Sequence, residues 1–112
     1  MKTYVGKRMA AGPCQASVVE KHANGSESSR ELHHVCRHSP DGFQWGYGGS
    51  GPADLALSVL ADLIGLKRAE RLYQDFKWKF IAPVRGDLEL REDEILAWVE
   101  AAEKAGRAET RE

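Results

Sequence analysis

The stretch WGYGGSGPADLALSVLADLIG, residues 45–65, changes character part-way along. Up to Gly51 it is rich in glycine, with Trp45 and Tyr47 interleaved. From Pro52 onward every residue is apolar or small except Asp54, Ser58 and Asp62. Those three stand four apart, which places them in one narrow stripe along a helix. The spacing therefore predicts a mostly buried helix whose only wet face is that stripe. Gly51 as N-cap and Pro52 at the first helical position start it, and Gly65 ends it. A helix buried on nearly every side needs partners on both flanks, and the rest of the chain is read for them.

Upstream lie strand and turn signals. TYVGKRM is followed by a Gly12-Pro13 break, then CQASVVEKHA with β-branched Val18 and Val19. The polar loop NGSESS opens with Asn24-Gly25, a strong short-turn dipeptide. RELHHVCRH reads as a third strand and FQW as a short fourth. Downstream, Ala69, Leu72, Tyr73, Phe76 and Phe80 fall at helical intervals from Lys67, and Pro83 stops that run. Residues 87–90 suit a short strand. A last helix starts near Glu92, with Leu90 and Ile95 placed as a hydrophobic staple and Ile95, Trp98, Val99 and Ala102 as its buried face. Arg91 is a poor N-cap. The expected fold is α+β: a small antiparallel sheet of three to five short, mostly N-terminal strands packed against three helices. The chain reads as one domain over 1–112, mainly β to residue 45, with helices at 52–65, 67–80 and 92–106.

A chain of 112 residues with 42% hydrophobic and 29% charged content can bury one core without staples. Net charge is only -1, yet it is uneven. Residues 67–85 hold six bases against two acids, and residues 87–112 nine acids against four bases. That is a dipolar surface rather than the basic domain of a nucleic-acid binder, so a nucleic-acid partner is not expected. The opening residues contain no apolar targeting core and no run reaches membrane length, so a cytoplasmic protein without membrane contact is expected. Cys14 and Cys36 then default to free thiols.

Gly46, Gly48 and Gly51 match the spacing of a dinucleotide-binding turn. That fold requires a second strand and an acid about 20 residues on, whereas here one helix runs through Gly65 into another. The Rossmann reading fails on context. Anion binding by backbone N–H groups at a helix start remains open, although Asp54 at the third helical position would oppose a phosphate. Trp45 and Tyr47 offer rings for a flat ligand to stack on. The plainer reading is a glycine corner packing a strand end against the helix.

On a strand, His34, Cys36 and His38 would share a face, and Cys14 from a neighbour would complete a zinc-compatible set. The HxCxH spacing is no established metal pattern, and neither metal nor cofactor is expected. Cys36 with His34 or His38, or Ser50 with His38, could pair for nucleophilic chemistry, but no third orienting group is evident, so enzyme activity is not favoured. Lys67, Arg71, Gln74 and Trp78 lie opposite the buried stripe of the second helix. If the helix continues past Trp78, that ring is an exposed hot-spot candidate. If residues 78–82 are extended, Trp78, Phe80 and Ala82 share a buried face, and this is the plainer alternative. An i,i+4 pair of Asp75 with Lys79 is expected on the surface.

The block HSPDGFQWGYGGSGPADLAL, residues 38–57, together with LYQDFK, residues 72–77, resembles an uncharacterised family of small bacterial and phage proteins known only as a domain of unknown function. The likeness spans about residues 36–100, with little before Cys36, and it departs at Arg91, where the family has a threonine-like cap. It implies a shared fold and lends no activity. It points to His38, Ser39, Trp45, Tyr47, Gly48, Gly49, Ser50, Tyr73, Asp75 and Lys77, and it implies an accessory role such as modulating a host process.

Two functions follow as expectations. The first is a non-enzymatic binding protein with a small anionic or nucleotide-like ligand at the corner, held by His38, Ser39, Trp45, Tyr47, Gly48, Gly49, Ser50 and Lys77. The second is a protein–protein interaction module of the host-factor-inhibitor type, acting through Lys67, Arg71, Gln74 and Trp78. Homo-oligomer formation is left open.

Overall fold

A computed structural model describes residues 1–12 and 14–110, with side chains as far as residue 106. Four strands, β1 (Lys2–Gly6), β2 (Ala16–Lys21), β3 (Glu27–Glu31) and β4 (Leu88–Arg91), form one antiparallel sheet in the order β3-β2-β1-β4. Three helices, α1 (Ser50–Ile64), α2 (Leu66–Phe76) and α3 (Glu92–Thr110), complete the α+β fold, and a π-helical turn at Lys77–Ile81 extends α2. No helix among the described residues is long and apolar enough to cross a membrane.

The sheet follows strand alternation. Tyr4 pairs with Val18 on one side and Leu90 on the other, and Gly6 pairs with Ala16 and Leu88. Tyr4, Ala16, Val18, Leu88 and Leu90 are buried in the common core with α1 residues such as Leu55, Val59 and Leu60. Gly6 must be glycine because the Trp45 ring lies on it; a Cβ there would stand 2.8 Å from Trp45 Cη2. Trp45 is fully buried, and its Nε1 donates to the Gly86 carbonyl at 2.7 Å, so its polar edge is satisfied inside the core.

Two expectations about the strands change. The third strand lies at Glu27–Glu31 rather than 30–38, because the Asn24-Gly25 turn is tighter than the whole polar loop. His22 and Ser26 close that turn with a 2.9 Å backbone bond, Gly25 adopts φ 88°, and Asn24 Oδ1 accepts from the Ser26 N–H. The short fourth strand at FQW reduces to an isolated bridge between Phe43 and Cys14. The Gly12-Pro13 break lies partly outside the described residues, since Pro13 is not among them.

Helix α1 starts earlier than expected, with Gly49 rather than Gly51 as N-cap, and Gly65 ends it at φ 88°. The larger correction concerns Asp54, Ser58 and Asp62. The stripe is not solvated: Asp54 and Ser58 are buried, and the Asp62 side chain is only 15% exposed. Residues 30–39 and the sheet edge lie along it. Ser58 Oγ accepts the Val35 N–H at 2.9 Å. Asp62 accepts from Tyr4 Oη at 2.7 Å and Arg30 at 2.8 Å, with Lys2 at 3.5 Å. What reads as a wet face is a hydrogen-bonded seam.

Residues 78–82 are not extended. The Ala82 N–H bonds to the Lys77 carbonyl at 2.8 Å, five residues back. Phe80 packs on Phe76 at 4.7 Å between centroids and on Trp98 at 5.9 Å, while Trp78 is turned outward. The π turn also alters the spacing of Asp75 and Lys79, and no ion pair joins them among the described residues.

Candidate functional site: an aromatic platform and a buried carboxylate

Two clusters contain most of the residues singled out from sequence. The first is at the glycine corner. Gly48 and Gly49 precede α1, and a Cβ on either would collide with a ring: Trp78 over Gly48, Tyr47 over Gly49. The glycines therefore permit close approach, but of the protein's own aromatics. Tyr47 is 50% exposed and Trp78 60%, so both rings show their outer faces to solvent. Lys77 is buried; its Nζ lies 4.5 Å from the Trp78 ring centroid and donates to the Gly48 carbonyl at 3.4 Å. The contact is a cation–π arrangement that holds the ring from below. The corner and the basic helix, separate candidates in the sequence, share this one surface.

Lys67, Arg71 and Gln74 are exposed at stripe intervals along α2, and the exposed Trp78 follows in the π turn. Ser50 is exposed at the first turn of α1, and Gly49 provides no side-chain cap there. Trp45 does not join the platform; it belongs to the core. Two described clefts lie away from the platform, one of about 510 Å³ beside Val5, Gln15 and Leu88 and another of about 200 Å³ beside Cys14, Leu32 and Phe43, while a third, of about 260 Å³, is lined by Ser39 with Gly12 and Gln44.

The second cluster surrounds Asp54. Its carboxylate accepts backbone N–H groups from Arg37 (3.2 Å), His38 (2.9 Å) and Ser39 (3.0 Å), and His34 Nε2 donates at 2.8 Å. Burial alone would push its pKa up, but the His34 hydrogen bond and the three amides outweigh that and hold the carboxyl below the usual carboxylate range. Asp54, expected to oppose a phosphate at the start of its own helix, instead answers the N–H groups of the crossing segment. The His34 ring also packs on Phe43 at 4.6 Å. Cys36 is exposed, with its thiol directed to the Ser39 carbonyl at 3.6 Å. One donor atom each from His34, Cys36 and Asp54 lies within 4.8 Å of the others.

The set His34, Cys36, His38 with Cys14 does not assemble as a strand face would place it, since residues 32–38 are outside the sheet. Cys14 is buried beside Gln44, 3.8 Å from its Oε1, and His38 Nε2 is hydrogen-bonded to Tyr73 Oη at 2.8 Å. Asp75 is exposed on α2. Sequence reasoning missed Asp54 as the orienting group for His34. The signal was the narrowness of the stripe on α1, too thin for a solvated helix face.

The model of the family of unknown function DUF6166 matches residues 4–101. The chain belongs to this family. The DUF6166 match starts at Tyr4, so the N-terminal hairpin is part of the family's fold, although the sequence before Cys36 carried little visible likeness. No curated protein and no solved structure matches the chain.

Proposed function

We propose that this DUF6166 protein is a non-enzymatic binding module that docks a protein partner through the Tyr47–Trp78 platform and the Lys67–Arg71–Gln74 stripe leading to it. The observation that supports this most is Trp78, 60% exposed yet fixed over Gly48 and Lys77. Leaving so large a ring in water forfeits burial worth about 2–3 kcal/mol, and Trp, Tyr and Arg dominate interface energetics once desolvated. The π turn that presents Trp78 is a geometry found often at functional sites. Lys67 and Arg71 favour a partner with an acidic rim. Inhibition of a host factor is one role within this reading.

The test is affinity capture with tagged protein and with the Trp78→Ala and Arg71→Ala variants. A partner held by the parent and lost by both folded variants is expected. Retention by both would move the interface away from this face.

A second reading keeps a small anionic or nucleotide-like ligand at the same corner. It is favoured by the buried Lys77 ammonium, which has no carboxylate partner among the described ion pairs and points at Gly48 beside the uncapped start of α1. A panel of nucleotides and phosphates at a hundredfold excess over Kd should then stabilise the fold by about 2.7 kcal/mol. No shift across the panel removes this reading and leaves the first intact.

A further inference from the structure

We propose that His34, Cys36 and Asp54 form a binding site for a divalent transition-metal ion of the zinc class, with the fourth coordination position open to solvent. The argument starts from the donor set. A thiol, an imidazole nitrogen and a carboxylate oxygen lie within 4.8 Å of one another. Mixed S, N and O donors suit zinc rather than magnesium or calcium, and three protein ligands with a free fourth position are the pattern of an open site.

Geometry and charge agree with it. Ligand atoms around a tetrahedral zinc stand roughly 3.3–3.6 Å apart, given bonds of about 2.0–2.3 Å. His34 Nε2 and Asp54 Oδ2, now 2.8 Å apart, need to open by only about half an ångström to admit the ion. Cys36 is exposed, so its side chain is free to turn inward. A Cys36 thiolate and the Asp54 carboxylate together neutralise a doubly charged cation in a half-buried place. The N–H groups of Arg37, His38 and Ser39 fix the carboxylate plane, and Phe43 packs against the imidazole, as surrounding shells of metal sites do.

Binding leaves every redox state unchanged. The Cys36 thiol loses its proton to solvent, and His34 ligates through Nε2 with its ring proton on Nδ1. About one proton is released per ion. The site lies on the segment crossing α1 and uses no residue of the platform, so it stands or falls independently of the partner reading.

The test is titration of reduced, chelator-treated protein with Co²⁺, followed by displacement with Zn²⁺. Uptake of about one equivalent is expected, with a near-ultraviolet thiolate-to-cobalt charge-transfer band that Zn²⁺ abolishes. Cys36→Ala should remove the band and weaken binding at least about tenfold, and His34→Ala should weaken it similarly. His33→Ala, an exposed neighbour outside the donor set, should change neither. Because Asp54 also anchors the fold, the test rests on Cys36 and His34. Absence of stoichiometric uptake, absence of the band in the parent, or parent-like binding by Cys36→Ala would overturn the proposal.

Discussion

At Asp54 a carboxylate with no solvent exposure is held by three backbone N–H groups and an imidazole. Removing it leaves the three N–H groups and the imidazole without their shared acceptor. Asp54→Ala is therefore expected to cost about 3–5 kcal/mol in urea unfolding, far more than a surface aspartate. Its lowered pKa fixes a pH dependence as well. A carboxylate whose folded pKa lies below its unfolded value adds stability that is fully present above about pH 5 and lost as pH falls through the folded pKa. Asp62 acts in the same direction: burial raises its pKa, but the hydrogen bonds of Tyr4 and Arg30 and the charge of Lys2 lower it further. Asp54→Asn should thus flatten the acid limb of stability against pH, and an unchanged limb would show that Asp54 does not govern it. From sequence, Asp54, Ser58 and Asp62 could be aligned but not assigned partners. Their main partners are backbone groups of an irregular segment and the Tyr4 hydroxyl, and such pairings leave no periodic trace.

The elements were legible where a periodic face meets the core. α2 and α3 alternate apolar and polar positions at helical spacing, α1 is apolar save for one narrow stripe, and β1, β2 and β4 place Tyr4, Val18 and Leu90 on one face. β3 was misplaced because all five of its residues are exposed, so no buried face marks its register. The π turn was hidden for another reason. WKFI at 78–81 fits an extended reading as well as a helical one, and only the packing of Phe80 against Phe76 and Trp98 decides between them. The seat of Trp78 on Gly48 supplies the test at this scale. Gly48→Ala should push the ring off its seat, at a cost of about 1–3 kcal/mol, and steepen acrylamide quenching of tryptophan fluorescence. Unchanged quenching would mean that the ring does not rest there.

Across the whole molecule the opposed charge runs partly answer each other. Arg68 on α2 donates twice to Glu103 on α3, at 2.9 and 2.6 Å. Lys67 and Arg71 stay exposed on the stripe that ends at Trp78. The dipolar surface seen in the sequence is thus resolved into a cross-linked side and a basic side that carries the platform. That partition could not be read from composition, because it depends on which face of α2 the acidic helix covers. The central claim is that the basic, aromatic side is where a partner sits, and hydrogen–deuterium exchange of the protein alone and in its captured complex tests it most directly. Protection on binding is expected at residues 46–50 and 76–81, with the outer sheet strand at residues 27–31 unchanged. Protection confined to the sheet edge, with the corner and the π turn exchanging as in the free protein, would contradict it.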